Sequence, residues 1–494
     1  MTTDVDQMGF DATGVRDAGP AGPAGLAPAD LETFLRVARE LSALPADHPA
    51  NSAARRATSD LFKAVKKDRR LTKRAAISAA DSAVVAATAT GSPGRIDDET
   101  RGIPLVSQAP GARAGMLVRP RACYICKEPY QEVDAFYHQL CPSCAAAHHA
   151  KRDARTDLAG RRALLTGGRA KIGMYIALRL LRDGAHTTIT TRFPRDAARR
   201  FASMPDSDQW LHRLRVFGID LRDPAQVVAL ADEVAAAGPL DILINNAAQT
   251  VRRSPGAYAP LVDAELAPLP AGPLPELRTF GHTSEAHPRA LVGARLDIAA
   301  PDVAALALAA GSASLERLVA GTAIDAGGLV PDTHATNSWV ATVDEVDPLE
   351  LLEVQLCNQT APFILVSRLR AAMVASPARR KYIVNVSAME GVFSRGYKGP
   401  GHPHTNMSKA ALNMLTRTSA GELAKHGILM TAVDTGWITD ERPHPTKVRL
   451  AEEGFHAPLD LVDGAARVYD PVVRGEAGED VYGVFLKDYR PAGW

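Results

Sequence analysis

Hydrophobic positions change their spacing near residue 156, and this change divides the chain into a helical part and a mixed part. Before it, apolar side chains recur at helical spacing from Asp30 onwards and again near 51–67 and 71–89, which predicts three helices. Gly, Ala and Pro dominate residues 1–28, so we expect a disordered lead there. We predict a helical N-terminal region and linker over 29–118, including the loop GSPGRIDDETRG.

After residue 156, short apolar runs alternate with helical patterns. RRALLT is one such run, HTTITT is rich in β-branched residues, and MYIALRLLRDG between them has helical periodicity and a glycine stop at Gly184. This order predicts a strand–helix–strand unit. Further strands are predicted in VFGIDL, DILIN, KYIVNVS and MTAVD, so the fold class of residues 156–494 is α/β.

The turn after the first of these strands, TGGRAKIG at 166–173, carries candidate chemistry. Free backbone N–H groups at a helix N-terminus and the helix dipole both favour a bound anion. A glycine-bearing turn in this place is typical of dinucleotide-binding domains. The sequence therefore predicts a phosphate site at this turn.

Four cysteines form two tight pairs, C-x2-C followed by C-x2-C, in the stretch CYICKEPYQEVDAFYHQLCPSC. Four thiolates arranged in a tetrahedron suit Zn²⁺, and a complete set of four leaves no position for a catalytic water. We predict a structural zinc on Cys123, Cys126, Cys141 and Cys144, within a zinc-ribbon-like module over 119–152. The nearby His138, His148 and His149 are expected at the surface or behind the ligands, and Cys357 is expected to be a small buried residue.

Bulk composition narrows the class of protein further. The chain has 494 residues, 46% hydrophobic and 23% charged, with a net charge of +1. This length predicts two or more domains, and the charge gives no sign of a polyanion partner. The basic segment KAVKKDRRLTKR at 63–74 lacks aromatic residues, which favours a solvated helix face over a nucleic-acid site. We find no signal peptide and no membrane span, so a cytoplasmic protein is expected.

Together, the ordered motifs TGGRAKIG, DILINNAAQT, IVNVSAMEG and SKAAL resemble those of the short-chain dehydrogenase/reductase family. The resemblance covers about residues 156–494. It implies a Rossmann-type doubly wound parallel sheet, binding of NAD(P)(H), a small-molecule substrate, and assembly as a dimer or tetramer.

The resemblance also implies roles for individual residues. Thr166, Gly167 and Gly173 would belong to the pyrophosphate turn, Asp220 would meet the adenine, and Asn245 would line the cofactor cleft. The predicted cofactor-binding residues are Thr166, Gly167, Gly168, Arg169, Lys171, Ile172, Gly173, Arg192, Asp220, Leu221, Asn245, Asn246, Ala247, Lys409 and Thr439.

Residue 192 bears on the choice of cofactor. A carboxylate after the second strand would bind the ribose 2′-OH of NAD, but residues 187–192 contain none and end in Arg192. A guanidinium suits a 2′-phosphate. We therefore expect NADP(H) in preference to NAD(H), the alternative being that Arg192 is only a surface charge.

The predicted catalytic group departs from the family pattern. The family uses Asn, Ser, Tyr and Lys, of which Asn358 and Lys409 match, while Ala388 and Thr405 replace the serine and the tyrosine. An aliphatic alcohol is far less acidic than a phenol, so Thr405 cannot do the same acid–base work. Substitute groups in the sequence are His404, which we rank first, then His402, Tyr397, Glu390 and, after a register shift, Ser387.

A long insertion, at about 250–336, is the other departure. It is rich in Pro, Ala and Gly, with short helices predicted at 288–297 and 302–320. Such a segment beside the cleft is typical of a lid, a cap or a partner platform, or is only an extended loop. Three functions stay open: an NADP(H)-dependent oxidoreductase with altered proton transfer, a catalytically silent dinucleotide-binding protein, and, least favoured, a nucleic-acid-associated protein.

Overall fold

The chain divides into two units, Met1–Ser78 and Ala79–Trp494, and the boundary falls inside a long helix. The computed structural model describes residues 27–93, 111–253, 255–280 and 323–494. Helix α1 (Pro28–Ser42) is followed by α2 (Pro49–Ala86). The two helices predicted near 51–67 and 71–89 are wrong as separate elements, because no Gly or Pro interrupts the backbone between them. The basic segment 63–74 lies on α2 with its side chains exposed.

A nine-stranded sheet forms the centre of the second unit. Its strands are β3 (Arg162–Leu165), β4 (His186–Thr191), β5 (Leu214–Gly218), β6 (Ile242–Asn245), β7 (Glu276–Thr279), β8 (Lys381–Ser387), β9 (Ile428–Asp434), β10 (Phe485–Lys487) and β11 (Arg490–Ala492). They lie in the order β11-β10-β9-β8-β6-β3-β4-β5-β7. All neighbours are parallel except β10 and β11, which form an antiparallel pair. The predicted Rossmann-type parallel sheet is confirmed.

Helices cover both faces of this sheet. They are α4 (Lys171–Arg182), α5 (Pro194–Ala202), α6 (Pro224–Ala236), α8 (Pro348–Gln355), α9 (Ala361–Val374), α10 (Pro403–Ala424), α11 (His444–Glu452) and α12 (Leu461–Glu476), with α7 (Ala259–Leu266) before β7. Helix α4 packs against α12 on one face, and α6 against α9 on the other. Successive strand residues alternate between the two cores: Leu164 faces one and Leu165 the other.

The cysteine pairs lie in a small layer that belongs to the same unit. It consists of β1 (Arg113–Ala122), β2 (Pro129–Asp134) and α3 (Pro142–Asp153), with β1 and β2 antiparallel. We call residues 113–153, which contain these three elements and the loops between them, the four-cysteine module. Helix α3 packs on α12, and buried Tyr137 and Leu140 join the larger core of the sheet. The module therefore has no separate hydrophobic core.

The described parts of the insertion pack onto the sheet. They supply α7, the edge strand β7 beside β5, and a returning segment whose Ile324 packs with Phe193 and Leu261. The helices predicted at 288–297 and 302–320 lie outside the described residues. No helix in the described ranges is long and apolar enough to cross a membrane.

Candidate active site

The turn between β3 and α4 is closely packed. Thr166 Oγ1 accepts hydrogen bonds from the backbone N–H groups of Asn246 and Ala247, both at 3.0 Å. Gly167 has φ +69°, and a Cβ on Gly173 would lie 2.0 Å from the Gly167 carbonyl oxygen. Only glycine fits at these two positions, so the backbone of the turn can approach a ligand closely.

Lys171 stands at the first position of α4 in a left-handed conformation. Its φ is +55°, a value that a glycine adopts freely and a lysine rarely. Its ammonium nitrogen lies 3.8 Å from Asp325 Oδ2, in the returning segment of the insertion. The neighbouring Arg169 donates to Asp196 Oδ2 at 2.6 Å. Both cations of the turn therefore face carboxylates.

The turn opens into a cavity of about 770 Å³. Predicted cofactor residues that line it are Gly167, Arg169, Lys171, Ile172, Gly173, Arg192, Asp220, Leu221, Asn246, Ala247, Lys409 and Thr439. The cavity thus extends from the end of β4 to helix α10. Its length brings the phosphate turn and the predicted catalytic lysine into one space.

Asn245 is placed differently from the prediction. Its buried side chain donates to Asn385 Oδ1 at 2.8 Å, across the β6–β8 pair, and so faces the sheet. Asn246 lines the cavity instead, and its Nδ2 donates to the carbonyl oxygens of Thr166 and Gly167, both at 3.1 Å. The expectation for Asn245 fails because side chains alternate at a strand end, and the motif alone does not fix which of two adjacent asparagines faces the cleft.

Aromatic and charged residues surround the end of the cavity at β4. The Arg192 guanidinium lies 5.2 Å from the ring centre of Tyr258, which comes from the insertion. Asp220 forms an ion pair with Arg222 at 2.6 Å. Burial alone would raise the pKa of Asp220, but the hydrogen-bonded Arg222 holds that pKa below its usual range.

Asn358 acts on the loop after β6 rather than on the cavity directly. It lies buried in a π-helical turn, Leu356–Thr360, between α8 and α9. Its Oδ1 accepts from the backbone N–H of Gln249 at 2.7 Å, and its Nδ2 donates to the Gln249 carbonyl at 2.9 Å. Asn358 therefore fixes Gln249, which lines the cavity.

Lys409 and Thr405 face the cavity from the first turns of α10. The Lys409 ammonium donates to the Val386 carbonyl oxygen at 2.8 Å, and burial lowers the pKa of Lys409 to about 8. The buried Thr405 Oγ1 has no hydrogen-bond partner among the described residues. Ala388 also lines the cavity, so a methyl group stands where the family has a hydroxyl.

The predicted substitute proton donors lie in different environments. His404 is buried with Nε2 3.7 Å from Glu350 Oε1 and does not line the cavity, since its place on α10 turns it away from Thr405. Tyr397 is 76% exposed. His402 stacks on Trp339 at 3.9 Å, and its Nδ1 hydrogen-bonds with the Trp339 carbonyl. Two of this group, Glu390 and Ser387, line the cavity. The Ser387 hydroxyl donates to Asn413 Oδ1 at 2.6 Å.

Several cavity residues have no sequence signal. They form two ion pairs on the cavity wall. The Arg253 guanidinium lies 4.0 Å from the Glu441 carboxylate, and the Arg222 guanidinium lies 2.8 Å from the Glu353 carboxylate. Thr439, predicted to bind the cofactor, donates to Glu441 Oε1 at 3.0 Å. The Arg253–Glu441 and Arg222–Glu353 pairs join segments far apart in sequence, so no local motif identifies them.

The four cysteines meet in one cluster. Their sulfur atoms all lie within 4.8 Å of one another. The three nearby histidines have other partners: His138 contacts Thr90 Oγ1 at 2.8 Å, His148 the Cys144 carbonyl at 2.9 Å, and His149 Asp134 at 3.2 Å. All three are buried, not at the surface.

Cys357, expected to be buried, forms part of the cavity wall and is partly exposed. Burial raises the pKa of its thiol to about 11. It lies outside the cysteine cluster, as its sequence position predicts.

Comparison with known proteins identifies the family. The family model described as short chain dehydrogenase matches residues 161–260 and 291–446. The chain belongs to the short-chain dehydrogenase family. An uncharacterized protein of Acanthamoeba polyphaga mimivirus is 30% identical over 370 residues, covering 71% of each chain.

Other relatives and solved structures match smaller parts of the chain. The 5-keto-D-gluconate 5-reductase of Escherichia coli (strain K12) is 32% identical over 119 residues, 24% of this chain and 43% of that protein. Among solved structures, a short chain dehydrogenase from Burkholderia cenocepacia J2315 in complex with NADP is 21% identical, with a TM-score of 0.42, and covers 67% of this chain and 97% of that one.

Proposed function

We propose that this short-chain dehydrogenase is an NADP(H)-dependent oxidoreductase with an altered proton-transfer group. One observation carries the proposal: the phosphate turn and the buried Lys409 open into the same cavity of about 770 Å³. A cavity of this volume suits a ligand of dinucleotide size together with a small substrate. A purely structural domain has no need of such a joined space.

The turn fits a pyrophosphate. A Cβ on Gly173 would lie 2.0 Å from the Gly167 carbonyl, so a side chain there would close the turn against the backbone. Lys171, Ile172 and Gly173, the first residues of α4, line the cavity, and no side chain of the N-cap residue Ala170 caps the helix. The positive end of the helix dipole therefore favours an anion at the turn.

Arg192 supports a preference for NADP(H). It follows β4 directly, lines the cavity, and rests on the ring of Tyr258 at 5.2 Å, which limits its motion. A planar guanidinium binds phosphate through paired hydrogen bonds. The β4 segment His186–Thr191 offers no carboxylate for a ribose 2′-OH.

The cysteine cluster supports a structural zinc. Four sulfur atoms within 4.8 Å of one another suit tetrahedral coordination, and no described histidine or carboxylate competes for a place. With four thiolates bound, the ion has no open position for chemistry. Its role would be to stabilise a module that lacks a core of its own.

The proton donor of the reaction is the Lys409 ammonium. When bound, NADPH supplies a hydride to an electrophilic carbon such as that of a carbonyl. The Lys409 ammonium gives its proton to the oxygen that gains the electron pair, and water returns a proton to the neutral amine. A pKa of about 8 suits this step near neutral pH, whereas the Thr405 hydroxyl is too weak an acid.

A second candidate is a dinucleotide-binding protein without catalysis. The specific observation in its favour concerns tyrosine: among the described residues, Tyr258 is the tyrosine that lines the cavity, and it lies beside Arg192 rather than Lys409. A phenol is therefore missing from the place where the family's proton donor acts.

The test of cofactor binding uses Arg192→Gln, with Arg195→Gln as matched control. Arg195 lies in the first turn of α5, outside the cavity lining, where its guanidinium contacts the Ala267 carbonyl. We expect Arg192→Gln to weaken NADPH binding at least tenfold and to leave NADH binding unchanged in fluorescence titrations. Equal loss for both cofactors would refute the phosphate role, and wild-type protein that binds neither would refute the oxidoreductase.

Activity separates the two candidates. NADPH oxidation by the wild type with a panel of ketones, aldehydes and imines, abolished by Lys409→Met, is the result expected of the enzyme. Saturable NADPH binding with no turnover across the panel, under conditions where an active family member turns over, would favour the silent binder.

A further inference from the structure

One segment of the cavity wall is attached to the four-cysteine module at both ends. We call residues 437–460 the wall segment. We propose that the four-cysteine module, with a metal ion on its cysteines, holds the wall segment in place and thereby sets the affinity of the cavity for NADP(H). This inference rests on the proposed function for its ligand, but the contacts themselves do not depend on it.

The first attachment comes from inside a cysteine pair. Tyr124 lies between Cys123 and Cys126, and its Oη accepts a hydrogen bond from the Trp437 backbone N–H at 3.0 Å. The Tyr124 backbone N–H donates to the Gln139 carbonyl at 2.8 Å, next to the second pair. The position of this phenol therefore depends on the two knuckles that the cysteines form.

The second attachment lies at the far end of the wall segment. Gln139 Nε2 donates to the His456 carbonyl at 3.3 Å. Arg152 of α3 donates to Asp460 Oδ1 at 2.5 Å, and Tyr137 donates to Asp463 Oδ1 at 2.5 Å. Arg152, Asp460 and Asp463 are at most 1% exposed, so these contacts are shielded from water.

Between the attachments, the wall segment reaches the cavity. Thr439 and Glu441 line it. The Glu441 carboxylate lies 4.0 Å from the Arg253 guanidinium, in the same cavity lining as Lys171 of the phosphate turn. Burial would raise the pKa of Glu441, but the positive charges of Lys171 and Arg253 hold it below its usual range. Ile438 fits against α12 so closely that a Cβ on Gly464 would lie 2.3 Å from its Cδ1.

A metal ion would strengthen this arrangement because its binding energy adds to the stability of the ordered module. Without the ion, backbone hydrogen bonds still connect the two knuckles, but the cysteine sulfur atoms add only weak contacts such as that of Cys126 with Cys141 at 3.7 Å. The Tyr124 phenol would then lose its fixed position, and the wall segment would open more often. For a ligand that needs the closed segment, the apparent Kd equals the intrinsic Kd divided by the fraction of time that the segment is closed.

The test compares two tyrosine variants of the same module. Tyr124→Phe removes the hydroxyl that meets Trp437. Tyr130→Phe is the matched control, because the Tyr130 hydroxyl donates to the His138 carbonyl at 2.7 Å within the module. We expect Tyr124→Phe to raise amide hydrogen exchange in residues 437–456 and to weaken NADPH binding about fivefold, while Tyr130→Phe leaves both at wild-type values.

Metal removal provides the second measurement. Chelation to below a tenth of an ion per chain should raise exchange in the same residues and weaken NADPH binding at least as much as Tyr124→Phe, and added Zn²⁺ should restore both. Gln139→Leu tests the other attachment if Tyr124→Phe does not fold. Wild-type exchange and affinity in Tyr124→Phe, or in the metal-free protein, would overturn the inference.

The two proposals fail in distinguishable ways. If the wild type binds no NADPH, the proposed function is wrong, yet the exchange of residues 437–456 still reports whether the module holds the wall segment. If NADPH binds tightly and exchange is insensitive to Tyr124→Phe and to metal, the oxidoreductase stands and the module has only a local role.

Discussion

The Lys409 ammonium nitrogen lies 2.8 Å from the Val386 carbonyl oxygen, inside the wall of the cavity. One neutral acceptor replaces only part of the hydration that an ammonium has in water. Burial therefore lowers the pKa of Lys409 to about 8, from 10.5 in an exposed lysine. The folded protein holds a cation at neutral pH at a cost in stability, which is typical of functional sites.

Replacing this lysine should stabilise the protein. We expect Lys409→Met to raise the free energy of unfolding at pH 7 by roughly 1–3 kcal/mol, because a pKa lowered in the folded state penalises the charged form. The unfolded chain binds more protons than the folded one between pH 8 and 10.5. The stability that Lys409→Met gains over the wild type should therefore be full below pH 8 and disappear by pH 10.5.

Chemical unfolding at several pH values measures this effect. Lys425→Met is the control, since Lys425 is exposed at the end of the same helix, and its replacement should change stability by less than about 0.5 kcal/mol. In the enzyme, turnover should also fall as the pH rises through about 8 and the ammonium is lost. A Lys409→Met protein less stable than wild type at pH 7 would contradict this account.

Replacing Thr405 tests which residue donates the proton. Its buried hydroxyl has no partner among the described residues, so Thr405→Val removes an unsatisfied polar group at nearly constant volume. We expect Thr405→Val to leave turnover within twofold and to raise stability by up to about 1 kcal/mol. A tenfold or greater loss of turnover without loss of NADPH affinity would show that Thr405, not Lys409, passes the proton.

The cysteine cluster predicts one zinc ion per chain. Cys126→Ser should lower the zinc content of purified protein and reduce its thermal stability, because three thiolates bind Zn²⁺ more weakly than four. Native mass spectrometry gives the ion count for each chain. The matched control is Cys357→Ser, outside the cluster, which should keep one ion per chain; equal zinc in both variants would argue against the site.

Two glycines on helices should respond in opposite directions to alanine. Gly173→Ala places a Cβ 2.0 Å from the Gly167 carbonyl, which should destabilise the protein by about 1–3 kcal/mol and abolish NADPH binding. Gly421 lies on α10 with nothing within 4 Å of an added Cβ. Gly421→Ala should therefore stabilise by about 0.5–1 kcal/mol, as measured by thermal unfolding.

Much of the sheet and turn could be predicted because each rests on contiguous residues. RRALLT and KYIVNVS contain enough apolar residues, and HTTITT enough β-branched residues, to indicate strands. The glycines of TGGRAKIG indicate a tight turn. By contrast, β7 has the sequence ELRT, three of whose residues are polar, and it pairs only because β5 presents an edge to it. Its position is set by tertiary context, which overrides local propensity.

The catalytic surroundings were harder to predict. Adjacency in sequence suggested that His404 shares the environment of Thr405, but successive residues of a helix point about 100° apart, so His404 faces Glu350. The Tyr124–Trp437 hydrogen bond joins residues more than 300 positions apart. Contacts of this kind depend on how two elements pack, which a single sequence does not encode locally.

The edge strand β7 also affects how molecules meet one another. Its outward side chains are charged, and they pair within the chain: Glu276 with Arg215 at 2.8 Å, and Arg278 with Glu233. Short, charged edges resist the addition of a strand from a second molecule. Among the described strands, β7 therefore disfavours aggregation through this edge of the sheet.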